Sequence, residues 1–161
     1  MGQRRYYHAR GAINQPKGVQ KPHIPLLIGG GGEQVTLKLV AQYGDACNIG
    51  NLDVEGLEHK FSMLKKHCDE VGRDYNSIRR TVMFNCAIAE TDEEAIAKSK
   101  PFQRNIPSGR IREQALVGTP DVIRKRLEEI EQAGAQEIIL YMPDSAQLEP
   151  VRMFARECMQ K

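Results

Sequence analysis

Four consecutive glycines, Gly29 to Gly32, lie inside the stretch "PHIPLLIGGGGEQVTLKLVAQYGDACN" that runs from Pro22 to Asn48. Glycine loses more backbone freedom on ordering than any other residue, so a run of four between two regular elements calls for a reason, and the usual one is close approach of the backbone to something else. The flanking patterns place the run at the C-terminus of a strand and the N-terminus of a helix. Free N–H groups and the positive end of the helix dipole meet at such a place, and they favour an anion such as phosphate. A tight strand-to-helix turn with no ligand fits the same stretch equally well. Two nucleotide-binding patterns do not fit. A G-x-G-x-x-G fingerprint starting at Gly29 or Gly30 would end on Gln34 or Val35, and no glycine in the chain precedes the Lys-Ser/Thr pair of a P-loop.

The elements around the glycines repeat a βα pattern. Ile24, Leu26, Leu27 and Ile28 predict a short buried strand, and Glu33 to Tyr43 a helix with Val35, Leu39, Val40 and Tyr43 toward a core. A second strand is expected over Ala46–Ile49. Its helix carries Val54, Leu57, Phe61, Leu64, Cys68 and Val71 at three- and four-residue spacing and ends at Gly72. A third strand alternates Val82, Phe84, Cys86 and Ile88 with polar and small residues. Thr91 and Glu94 then form a capping box for a helix over Asp92–Lys100. The stretch from Pro101 to Val117 reads as irregular, a mobile loop at about 101–118. Thr119 and Pro120 open a helix directed inward by Ile123, Leu127 and Ile130, and Gly134 closes it. Glu137–Met142 predicts a strand buried on both faces, and the last helix has Leu148, Val151, Phe154, Ala155 and Cys158 on one side. Four strands, each followed by a helix, plus one extra helix, make a repetitive α/β architecture.

The 161 residues suffice for one domain, and 40% hydrophobic with 27% charged residues is a globular composition. A formal net charge of +2 gives no electrostatic case for nucleic acid or a membrane surface. The basic start, with Arg4, Arg5 and Arg10 near Tyr6 and Tyr7, reads as a solvated terminus. No apolar run approaches the roughly 20 residues of a membrane-spanning helix, and no secretory leader is visible, so a cytoplasmic location is expected. Cys47, Cys68, Cys86 and Cys158 form no C-x-x-C pair, which predicts buried reduced thiols and no metal site.

Three stretches together, the glycine segment, "LKKHCDEVGRDYNSIRRTV" and "LVGTPDVIRKRLEEIEQAGAQEIIL", resemble the C-terminal half of the luciferase-like monooxygenase superfamily, in its branch of coenzyme F420-dependent oxidoreductases. The resemblance runs from about Pro16 to Met159. It implies half of a TIM (β/α)8 barrel, the four βα units standing for strands five to eight, with residues 1–23 as an N-terminal arm and 24–161 as the partial barrel. In that family the phosphate of a deazaflavin or flavin lies near the end of strand five. By resemblance the cofactor-binding residues are then Gly29, Gly30, Gly31, Gly32 and Glu33, the last four through their N–H groups, with Thr36 as a hydroxyl donor. The Glu33 carboxylate would repel a phosphate if it pointed inward. The implied activity is hydride transfer with F420, or monooxygenation with FMN as the alternative cofactor. The family's catalytic residues belong to the first four strands, so none is assigned here. Asp45, Asn48, Asn85 and Tyr141 sit at strand ends within reach of a ligand, although capping, hydrogen bonding and packing account for them as well. The Phe102–Leu116 loop, with Arg104, Arg110 and Arg112, resembles a lid or a substrate-binding insertion. A half-barrel leaves two free strand edges, which predicts a homodimer or a partner chain supplying the other half. The alternatives are a non-catalytic half-barrel and a flavodoxin-like binding module.

Overall fold

The longest strand is the one whose sequence alternates most cleanly. β3 (Arg79–Ile88) turns Val82, Phe84, Cys86 and Ile88 into the core and Thr81, Met83 and Asn85 to the opposite face, as a two-residue period requires. The structure, a computed structural model, describes residues 10–13 and 15–159, leaving aside the side chain of Gln103; Arg4, Arg5, Tyr6 and Tyr7 lie outside it. β3 pairs in parallel with β2 (Ala46–Gly50), which pairs with β1 (Leu27–Gly29). β5 (Glu137–Tyr141) runs along Thr81–Asn85 of β3, and a short β4 (Leu116–Gly118) along Cys86–Ile88. Among the described residues β1 and β5 each pair with one strand, so both ends of the sheet are open there.

The main helical layer covers the face of Val82, Phe84, Cys86 and Ile88. α1 (Thr36–Tyr43), α2 (Val54–Val71) and α5 (Pro120–Gln132) bury Leu37, Val40, Leu57, Phe61, Leu64, Ile123 and Ile130 against Cys47, Ile49 and the inward residues of β3. α6 (Glu149–Cys158) packs Met153, Phe154 and Cys158 at the margin of this core. A smaller cluster holds α3 (Asp92–Lys98) and the following turns, with Phe102, Ile106 and Ile111 closing on Ala87, Ala95 and Val117. Among the described residues no helix is long and apolar enough to cross a membrane.

Several expectations are corrected. The first strand is Leu27–Gly29 rather than Ile24–Ile28, and Ile24, Leu26 and Leu27 are exposed because, among the described residues, no further strand or helix packs on that edge. For the same reason β5 is not buried on both faces: Ile139 and Tyr141 are 37% and 58% exposed. The first helix begins at Thr36, after a turn through Glu33–Val35, which rotates its buried side to Leu37, Val40 and Ala41 and leaves Val35, Leu39 and Tyr43 in solvent. Residues 101–118 are not irregular. They form two 3-10 turns (Lys100–Arg104 and Ser108–Arg110), α4 (Ile111–Gln114) and β4, so the sheet has five strands and not four. The Thr91 hydroxyl accepts from the Glu94 N–H at 3.3 Å, but the Glu94 carboxylate turns to Lys98 and leaves the capping box half made. Thr119 stands at the N-cap of α5 without a side-chain hydrogen bond, and Cys158 is only partly buried.

Phe84, with no exposed surface, joins the strand that every other strand but β1 pairs with to the helices above it. Phe84→Ala is expected to cost about 3–5 kcal/mol, read as a fall in the urea midpoint with little change in slope.

Candidate functional site

β1 ends in the glycines. Gly29 closes the strand, and Gly30 adopts φ +120°, a conformation open to glycine and strained for any other residue. The Gly30 N–H donates to the Asn48 carbonyl at 2.9 Å, prolonging the β1–β2 ladder, so of the four expected N–H donors this one is committed to the sheet. The N–H groups of Gly31, Gly32 and Glu33 have no partner among the described residues. Thr36, in the first turn of α1, folds back over them. A methyl group built on Gly32 would come within 3.0 Å of its hydroxyl oxygen, and one built on Gly30 within 3.7 Å. The structure thus brings Gly30, Gly32 and Thr36 together, with Gly31 and Glu33 between them in the chain.

The loop is held from the side by α2. The His67 imidazole, nearly buried, makes a 2.8 Å hydrogen bond to the Glu33 carbonyl, and its other ring nitrogen meets Glu70 at 3.2 Å. About two turns toward the helix start, Lys60 Nζ and His59 Nε2 reach the Glu33 carboxylate at 2.5 and 3.0 Å. The carboxylate therefore faces α2, which removes the repulsion that an inward Glu33 would cause. Its pKa is lowered from 4.5, chiefly by the Lys60 hydrogen bond; burial opposes this as the next largest effect, and the His59 hydrogen bond adds a smaller lowering. Lys60 lies beside the glycines themselves: a methyl group on Gly31 would touch its Cε at 3.6 Å and Ile49 at 3.7 Å. Sequence reasoning did not find Lys60 or the role of His67. The available signal was their position, since both interrupt the Leu57, Leu64 and Val71 row of α2 at three- and four-residue spacing.

The other strand-end residues have structural partners. Asp45 accepts the Leu26 N–H at 2.7 Å and fixes the entry to β1. Thr81 donates its hydroxyl to the Cys47 carbonyl at 2.7 Å, with the Asn48 carboxamide oxygen at 3.2 Å. Asn85 donates through its side chain to Asn51 at 3.3 Å, and Asn51 itself takes the left-handed conformation at φ 53°. Arg110 binds Asp53, the N-cap of α2, and Arg112 binds Asp92, so the turns after β3 are tied to neighbouring helix starts. The thiols are inert by environment: burial raises Cys47 and Cys68 and pushes Cys86 up to about 12.

The glycine loop, Asn51 and Asn85 lie toward the C-terminal ends of parallel strands, where α/β folds place their ligands, whereas Asp45 stands at the opposite edge, before β2. The family model for luciferase-like monooxygenases matches residues 2–110. No curated protein matches the chain. Among solved structures, the coenzyme F420-dependent tetrahydromethanopterin reductase from Methanopyrus kandleri is similar with a TM-score of 0.70 and 15% identity, over 84% of this chain and 50% of its own. An F420-dependent secondary alcohol dehydrogenase, solved with an F420–acetone adduct, gives 0.72 and 16%, over 85% and 48%. A monooxygenase, RslO1 from Streptomyces bottropensis, gives 0.68 and 22%, over 90% and 50%. At these identities the likeness is one of fold. The matched proteins are TIM barrels of which this chain spans about half the length, so the one-sided parallel sheet is half of a barrel. With the family model extending over well more than half of its residues, the chain belongs to the luciferase-like monooxygenase family.

Proposed function

We propose that this chain is the half of a luciferase-like oxidoreductase that holds the cofactor's phosphate, with F420 as the cofactor and FMN as the alternative. The observation that carries this reading is the run of N–H groups at Gly31, Gly32 and Glu33 that have no partner among the described residues, with the Thr36 hydroxyl beside Gly32. Their chemistry fits a phosphate: donors only and no carboxylate turned inward, with the Thr36 hydroxyl beside Gly32 and the Lys60 stem beside Gly31 as the nearest polar side chains. Gly29 and Gly30 shape the approach, Gly30 by its positive φ. Lys60 stands at the margin with its charge shared with Glu33. Two of the similar structures are F420-dependent enzymes, and a riboflavin lyase of similar fold holds a modified FMN. When bound, the deazaflavin would supply hydride transfer or the flavin oxygen activation; the residues here would bind and orient it.

The same reading has a consequence for assembly. β1 and β5 are both sheet ends, and the face opposite the helices exposes Leu27, Ile139 and Tyr141. A second half-barrel, related by a two-fold axis along the barrel, would pair β1 with the partner's β5 and cover that face. A second copy of this chain is the occupant favoured by the length relation to the matched structures, and a separate chain carrying the other half is the alternative.

Three outcomes test these proposals. Gly31 has room for ordinary contact with a methyl group, so Gly31→Val alters the anion's approach without the backbone strain expected at Gly30. Gly31→Val and Thr36→Val are each expected to weaken F420 or FMN binding about tenfold, ~1.4 kcal/mol, in fluorescence titration with unchanged circular dichroism; equal affinities would remove the phosphate role. Light scattering after size exclusion should give twice the formula mass of 18.1 kDa, and a monodisperse species at 18.1 kDa would overturn the assembly. The third outcome concerns Glu33, whose folded pKa lies below its unfolded one. The support it lends the loop is therefore present above 4.5 and lost as pH falls through the lowered value. Carbon-detected NMR titration should place the Glu33 midpoint below 4.5, and Lys60→Met should move it up toward 4.5.

A further inference from the structure

The 3-10 turn Lys100–Arg104 is anchored by its middle residue. Phe102 is 3% exposed and packs in the small cluster with Ala87, Ala95 and Ile106, while the Ser99 hydroxyl donates to the Ile96 carbonyl at 2.8 Å and fixes the entry to the turn. With Phe102 pinned, Lys100 and Arg104 are carried to the rim of a cavity of about 570 Å³ at the C-terminal ends of β3 and β5. That volume lies within the range of small-molecule sites. Asn85 and Tyr141, register partners on β3 and β5, and Asn105 complete its lining.

The charges around this cavity are unbalanced in a way that those of the rest of the segment are not. Lys98 pairs with Glu94, Arg110 with Asp53 and Glu113, Arg112 with Asp92, and Arg126 with Glu129. Among the described residues Lys100 and Arg104 have no acidic partner, and no carboxylate lines the cavity. Two uncompensated cations in a concave site repel one another and concentrate anions from solution. Arginine adds a planar donor fork suited to carboxylate or phosphate oxygens. Asn105 offers carboxamide donors, and the half-exposed Tyr141 ring gives one wall a flat apolar surface.

We infer that this cavity is a second anion site, taking the carboxylate or phosphate of a small organic molecule whose body lies on Tyr141. It is built from β3, β5 and the turn after α3, whereas the glycine loop is built from β1, α1 and α2. Its assignment to the substrate, rather than to a remote acidic group of the cofactor, rests on the proposed function; the anion binding itself does not.

The two sites are separated by a ¹⁵N NMR titration of the full chain at low ionic strength, first with benzoate as a flat carboxylate and then with inorganic pyrophosphate. Shifts are expected at the side-chain amides of Asn85 and Asn105 and at the backbone of 100–105. Lys100→Gln and Arg104→Gln together should weaken that binding at least tenfold. Lys98→Gln, which removes an equal charge that is already paired, should leave it within twofold. Lys100 and Arg104 are exposed and Lys98 is half-buried, and circular dichroism checks that each variant is folded. Shifts confined to Gly31–Glu33 would overturn this site while supporting the phosphate loop. Shifts at 100–105 that survive the double substitution would overturn the role of the two cations, and no shifts anywhere would overturn both sites. If the site is bound by a remote part of the cofactor, F420 or FMN will produce the same shifts at Asn85 and Asn105 and will compete with benzoate; additive binding of cofactor and benzoate assigns it to the substrate.

Discussion

The parallel pairing of β3 is the constraint on which the rest of the structure depends. Its backbone serves β2, β5 and β4, and its alternating side chains feed the main core on one face. Parallel neighbours require crossover connections, and those into β2, β3 and β5 carry helices that pack on that face. α2, α5 and, through β1 and β2, α1 are there because the strands they join run in one direction. A consequence is that every strand ends at the same edge of the sheet. The glycine loop, Asn51 and the turns after α3 are brought to one side of the molecule by topology alone, although they are far apart in sequence.

The same geometry explains what could and could not be read from the residues. The alternation in β3, the spacing in α2 and the left-handed Gly72 cap were legible because local physics fixes them, and the structure has each of them. Burial of β1 and β5 was misread because an apolar run such as Leu26–Ile28 or Ile138–Leu140 records what a strand would accept on both faces and not whether a second layer is present. The start of α1 was misread because Val35 extends the helical period by one residue, while the backbone between Glu33 and Val35 is committed to a turn. β4 escaped notice because three residues carry no period, and its existence depends on the free final stretch of β3.

For the candidate site the glycines were legible and their support was not. A run of four glycines announces itself; a lysine and two histidines on a helix do not, because single polar residues beside an apolar stripe are ordinary. Their meaning comes from the 26- to 34-residue separations that bring His59, Lys60 and His67 onto Glu33. The ordering entropy of a glycine-rich loop is the largest of any loop of its length. Three contacts to one residue at its end offset part of that cost, and they act on the Glu33 carboxylate and carbonyl rather than on the N–H groups of the loop.

A division of labour follows between the two faces of the sheet. The helix face holds nearly all of the large, fully buried side chains and accounts for a chain of this size folding around its own core. The opposite face carries Leu27, Met83, Ile139 and Tyr141 with the small residues Gly29, Ala46 and Gly50, and contributes little burial as it stands. In a closed barrel such a face would be packed in layers by residues from the other strands. Stability and ligand-facing chemistry are therefore largely separable here: substitutions on the helix face act on folding, whereas substitutions along the strand ends act on what the loops can hold. Asn85 is the exception that joins the two, because its hydrogen bonds to Asn51 tie the end of β3 to the left-handed turn after β2 while its side chain lines the cavity under Lys100 and Arg104. A change there would disturb both the strand end and the cavity, so the exposed cations at the rim are the cleaner probes of binding.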